Sequence, residues 1–181
     1  YVNNGSIYEN KNNVGISHLL EHIVCEGWKK CGGPCSIYWS KRGVQTNAST
    51  GQTYVNYYMH GLNKYSGEMM DYIAGIAMKP IITKKRLKKE KAAVRNELAM
   101  HKTHPELELY CELNKILFNI PGLQFQDDLD LQLEILKKFT LDDVEDWLNK
   151  FHLPGNIVFV VSGNVSKDLV KKIFKKKLKK Y

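Results

Sequence analysis

The stretch from Ile16 to Val24 limits the folds open to this chain more than any other. Leu19, Leu20, Ile23 and Val24 are apolar at helical spacing, yet His18, Glu21 and His22 stand among them. A helix this apolar is largely buried, and three buried ionisable groups are costly unless they are paired or hold a metal ion. His18 and His22 are four residues apart, on one helical face and about 6 Å apart along the axis, so both imidazoles can converge on one ion. Imidazole nitrogens suit zinc at about 2.0–2.1 Å, and a catalytic zinc site wants three protein ligands and a fourth position open to water. Glu21, three residues after His18 and on the same side, can take a proton from water without being a ligand. The plainer alternative is a set of hydrogen-bonded polar residues near a helix surface.

A third ligand must come from elsewhere in the chain. Glu90 and Glu97 lie seven apart, near two full turns, so their carboxylates share a face of the same helix. Alone, two glutamates in a lysine-rich helix read as a solvated surface. Only a pairing with the histidine helix gives them a chemical role.

The remaining sequence sets the frame. At 181 residues the chain suits one well-filled domain, and no repeat or Pro/Gly/Ser linker divides it. A hydrophobic content of 43% and a charged content of 25% exclude collagen-like and low-complexity classes. No apolar run reaches the roughly 18 residues of a membrane span. Four cysteines are too few for a disulfide scaffold. Cys31-Gly-Gly-Pro-Cys35 has no second pair nearby to complete a zinc site, so ordinary thiols are expected, and a reducing intracellular compartment, cytoplasmic or organellar, fits best. Residues 171–181 hold seven lysines and no acid, which accounts for nearly all of the net charge of +8. Their apolar partners Val170, Ile173, Phe174, Leu178 and Tyr181 fall at helical spacing, so a surface helix with a basic face is expected. A nucleic-acid-binding module is the alternative, disfavoured because no aromatics interleave for base stacking.

Local signals predict a strand end over Val2–Ser6, helices over Ile16–Glu26 and Ile37–Lys41, and a strand over Tyr54–Met59. They predict further helices from Ser66 to Met78, from Thr83 to at least His101 and from Leu107 to Phe118. Thr140 with Asp143 reads as a capping box, Ile157–Val161 as a strand, and Ser166 as the cap of the last helix. The class expected is α+β, a mostly antiparallel sheet with helices packed on one face.

Four segments together resemble the pitrilysin and insulysin metallopeptidases, the inverzincins marked by H-x-x-E-H, whose relatives include the mitochondrial processing peptidase. GSIYENKNNVGISHLLEHIVCEG is similar to the family's run from first strand through zinc helix, and VQTNASTGQTYVNYYM to its asparagine-alanine strand. EKAAVRNELAMHKTHPE resembles the helix of the distal glutamate, and GNIVFVVSGNV the late strand of the catalytic half. Cys25 and Trp28 depart from the aromatic and threonine usual in relatives, and Val55 from a threonine.

The resemblance implies one zinc ion per chain on His18, His22 and Glu97, with Glu21 as general base and Glu90 as an accessory glutamate supporting catalysis. It implies peptide binding as an added strand along Asn47, Ala48, Ser49 and Thr50. The implied activity is zinc-dependent endopeptidase hydrolysis of peptides or unfolded polypeptides. The implied organisation is a single N-terminal catalytic domain over residues 1–181, cut short before Tyr1. A second homologous domain would come from the same chain or a partner subunit. A non-catalytic family subunit is the other reading.

Overall fold

Glu9 shows how the chain starts its buried helix. The computed structural model describes residues 1–101, 103, 106, 109, 112, 113, 116, 117, 125 and 128–178. Helix α1 (Ile16–Cys25) begins after Gly15, whose φ of 86° lies in the left-handed region open to glycine. No N-cap side chain is present there. The buried Glu9 carboxylate instead accepts the Gly15 and Ser17 N–H groups at 2.7 and 2.9 Å, satisfying donors the helix cannot pair internally. Ser17 Oγ and Trp147 Nε1 both donate to Asn4 Oδ1, at 3.1 Å each, pinning the first turn to a distant helix. Leu19, Leu20, Ile23 and Val24 are fully buried, each worth about 1.5–3 kcal/mol of transfer free energy.

Helices α3 (Ser66–Met78), α4 (Lys84–His101) and α6 (Leu141–Phe151) pack on α1, while α2 (Cys35–Ser40) lies against the sheet, α5 (Leu129–Lys138) against α4 and α7 (Lys167–Leu178) against α3. The expected caps are in place: Arg86 N–H donates to Thr83 Oγ1, Leu169 N–H to Ser166 Oγ, and Thr140 with Asp143 forms the full capping box. Strand β1 (Gln45–Thr50) runs antiparallel to β2 (Val55–His60), from Gln45 opposite His60 to Thr50 opposite Val55. The architecture is α+β, as the sequence implies. The helix expected over 107–118 lies outside the described residues as a segment.

Three expectations need correction. The strand end over Val2–Ser6 reduces to Val2, which bridges both Val55 and Ile157, and Ser6–Tyr8 form a short 3-10 turn. The Ile157–Val161 strand does not form. Ile157 bridges Val2 and Val158 N–H reaches the Tyr1 carbonyl, but Val158 and Val160 are 61% and 71% exposed. A strand is defined by its ladder, and an apolar, β-branched run without a neighbouring strand has propensity but no partner. Cys31 and Cys35 are not free thiols but a disulfide, with Cα atoms 5.2 Å apart. The turn through Gly32, at φ 63°, brings them within bonding range, which a count of cysteines does not show.

The basic C-terminal helix packs on α3, with Phe174 against Phe159 and Lys177 paired with Asp71 at 2.7 Å. No helix among the described residues is long and apolar enough to cross a membrane.

His152, buried just beyond α6, carries a pH-dependent part of the stability. Burial pushes it down to about 4, although its Nδ1 sits 2.8 Å from the Ala77 carbonyl. Below its ordinary value near 6.5 the unfolded chain takes up a proton that the folded chain refuses, so stability falls as pH drops and the loss is complete below about 4. The expected loss from this group is about 3 kcal/mol. Urea unfolding between pH 7 and 4 in chelator should show a shallower slope for His152→Gln; an unchanged slope would assign the acid sensitivity to other groups.

Candidate metal centre

Two helices supply the donors. On α1 the Nε2 atoms of His18 and His22 are 3.2 Å apart, with their rings edge to face. From α4, Glu97 places Oε1 3.6 Å from His18 Nε2 and Oε2 3.4 Å from His22 Nε2. Helix α1 lies against α4, which brings together His22 and Glu97, 75 positions apart in sequence.

The donor spacing bears directly on zinc. Tetrahedral ligands at 2.0–2.1 Å from one ion stand about 3.3 Å from each other. The observed separations of 3.2, 3.4 and 3.6 Å surround that value, so the residues fit the ion with small side-chain adjustments. His18, His22 and Glu97 are the group among the described residues whose donor atoms can meet in this way.

The electrostatics hold His18 in a ligand-ready state. Burial, reinforced by His22, pushes His18 down to about 4, while Glu97 opposes the shift. His18 therefore presents a neutral ring with a free lone pair at neutral pH, the form a metal requires. Burial acts to lower His22 as well, but Glu90, Glu21 and Glu97 outweigh it and the net shift is upward. Glu90 is buried, with Oε2 3.7 Å from His22 Nδ1 and Oε1 3.1 Å from Lys89 Nζ. Its burial would raise its pKa, yet His22 and Lys89 hold it below the ordinary carboxylate range. Glu90 thus sits behind His22, where an outer carboxylate fixes ring orientation.

Glu21 lies beside the donors and is 8% exposed. Burial raises its pKa, with Thr50 and His22 opposing. The Thr50 hydroxyl donates to Glu21 Oε2 at 2.5 Å. Among the strand residues singled out from the sequence, Thr50 is therefore tied to Glu21, while the Asn47 side chain accepts its own neighbour Ala48 N–H at 2.9 Å. Ser49 stands opposite Asn56 in the ladder. Along β1 the edge away from β2 has no strand partner among the described residues. The sequence did not single out the neighbouring cavity of about 200 Å³ between α1, α2 and β1, to which Glu26, Ser36 and Tyr72 contribute. Those residues carry no motif; only packing assembles them.

Comparison with known proteins follows this geometry. The chain is 27% identical over 176 residues to an uncharacterized zinc protease, YmxG, of Bacillus subtilis (strain 168), covering 97% of this chain and 42% of that protein. It is 22% identical over 170 residues to the mitochondrial-processing peptidase subunit beta of Dictyostelium discoideum, covering 93% of this chain and 36% of that one. Among solved structures, the periplasmic protease PqqL from Escherichia coli superposes with a TM-score of 0.82 at 18% identity, over 99% of this chain and 20% of that one. Pitrilysin gives 0.79 at 20% identity, over 98% and 19%. The chain thus spans about two fifths of the curated relatives compared, and the solved structures share its fold. The family model for insulinase, peptidase family M16, matches residues 1–140, and the chain belongs to that family.

Proposed function

We propose that this chain is a zinc-dependent endopeptidase domain, with His18, His22 and Glu97 as the metal ligands and Glu21 as the general base. The observation that carries the reading is the meeting of three donor atoms at 3.2–3.6 Å, with a buried carboxylate beside them that is not part of the set. Relatives named as zinc proteases support zinc as the ion.

When bound, zinc would polarise the scissile carbonyl and acidify a water molecule. Glu21 accepts a proton from the attacking water and delivers it to the leaving amine. A carboxylate with a raised pKa suits both tasks, because it holds the proton more readily than an ordinary one. Thr50 keeps Glu21 oriented through the hydroxyl bond, and Glu90 orients His22. An extended peptide adds along Asn47–Thr50 by main-chain hydrogen bonds to the unpaired edge of β1. A second homologous domain, on the same polypeptide or a partner subunit, encloses the substrate from the other side.

The purified chain should carry one zinc by elemental analysis and hydrolyse a fluorogenic peptide. A chelator should abolish that activity, and added zinc should restore it. Metal-free protein, or hydrolysis indifferent to the chelator, would overturn the proposal.

A further inference from the structure

Helix α7 carries charge that the surrounding fold does not neutralise. Lys171, Lys172, Lys175 and Lys176 are exposed and, at helical spacing, share one side of the helix. The other side is committed to packing: Ile173 and Phe174 are half-buried, and Phe174 rests on Phe159. Helix α3 beneath offers Glu68 and Asp71, and both are engaged. Glu68 accepts the Tyr38 hydroxyl and lies 3.7 Å from the Arg42 guanidinium. Asp71 pairs with Lys177 at 2.7 Å and with Lys30 at 2.9 Å, so that trio keeps a net positive charge. Lys29 is exposed next to Lys30, which extends the basic surface to a segment distant in sequence. None of the exposed α7 lysines named here has a carboxylate partner among the described residues.

Crowding these cations weakens the free helix. Lys171 with Lys175, and Lys172 with Lys176, are like-charged pairs one turn apart. From Lys171 to Lys176 the axis rises about 7.5 Å, within one Debye length at physiological salt, so the charges act together. A surface dense in anions relieves their repulsion. Details of the face favour lipid over nucleic acid. Nucleic-acid strands are tracked by basic grooves with stacking aromatics, and their phosphates suit the arginine fork. The groove beside α7, of about 360 Å³, is lined by Phe174 and by none of these lysines, and α7 holds no arginine. A convex row of lysines, each a compact charge on a flexible stem, suits the diffuse charge of a bilayer face.

We propose that α7 docks this domain on an anionic lipid bilayer through Lys171, Lys172, Lys175 and Lys176, with Lys29 at the margin of the contact. The contact is electrostatic and peripheral, because the apolar side of α7 stays packed on α3. The metal donors sit on α1 and α4, so the docking face and the proposed catalytic centre use different elements.

Cosedimentation of the whole chain with vesicles tests this. Vesicles of phosphatidylcholine with about one third phosphatidylserine should bind about 10²–10³-fold more tightly than phosphatidylcholine alone, at about fivefold per lysine. In about 1 M salt, where the Debye length is about 3 Å, that preference should vanish. Lys171→Gln with Lys175→Gln should weaken binding to the anionic vesicles by about 10–30-fold, and replacing all four lysines by glutamine should reduce it to the phosphatidylcholine level. Arginine at all four positions keeps the charge and should hold binding within about threefold. Melting temperatures check the fold, and the glutamine variants should melt no lower than the unsubstituted chain, because they remove like-charged pairs. No preference for the anionic vesicles, or a preference that survives the four glutamines, would overturn the proposal. So would a single-stranded oligonucleotide that binds through the same lysines more tightly than the vesicles do.

Discussion

Glu21→Gln is expected to lower peptide hydrolysis by about 10²–10⁴-fold, the range attributed to a positioned general base, while the zinc content stays unchanged. The separation of the two effects follows from geometry. Glu21 is not among the donors that meet at 3.2–3.6 Å, so its amide replacement leaves them in place. Glutamine preserves shape and can still accept the Thr50 hydroxyl, but it cannot carry the proton from water to the leaving amine. Loss of zinc together with activity would show that Glu21 supports the metal rather than the proton transfer. Retained hydrolysis would remove it from the chemistry.

His22→Ala is expected to have the larger effect on the metal. It deletes the donor that sits within 3.4 Å of both other donor atoms and strands Glu90, whose low pKa depends on His22 and Lys89. Zinc affinity should fall by more than the 10–100-fold that loss of an outer-shell partner costs. A thermal readout gives the same answer independently. Zinc at 100 times its dissociation constant stabilises the folded chain by about 2.7 kcal/mol, and that increment should vanish in the variant. Replacing Glu90 instead should cost only the outer-shell amount. If His22→Ala and Glu90→Gln bind zinc equally well, the ligand assignment is wrong.

Much of the helical layout was legible because its causes are local. The apolar spacing of α1, the Thr83 cap and the Thr140–Asp143 box each depend on residues within a turn or two, and all three are found where the pattern puts them. The pair His18 and His22 is legible for the same reason, since four residues of helix fix their relation. Glu97 is different: its own helix reads as a solvated lysine-rich surface, and only resemblance to a family chose it over Glu90 as the third ligand.

The sequence by itself determined that α1, α3, α4, α6 and α7 are helices and which face of α1 carries two imidazoles, whereas it held no signal for α5, and α2 begins two residues before the expected Ile37. Tertiary structure decided everything that needs two distant segments to meet. It brought Glu97 within 3.6 Å of His18, set the Thr50 hydroxyl on Glu21, and joined Cys31 to Cys35 across a glycine turn. It also left Val158–Val161 without a ladder despite their β-branched, apolar composition. The physical reason is the same in each case. Helical hydrogen bonds close within four residues, whereas strand pairing and donor convergence depend on how whole elements pack.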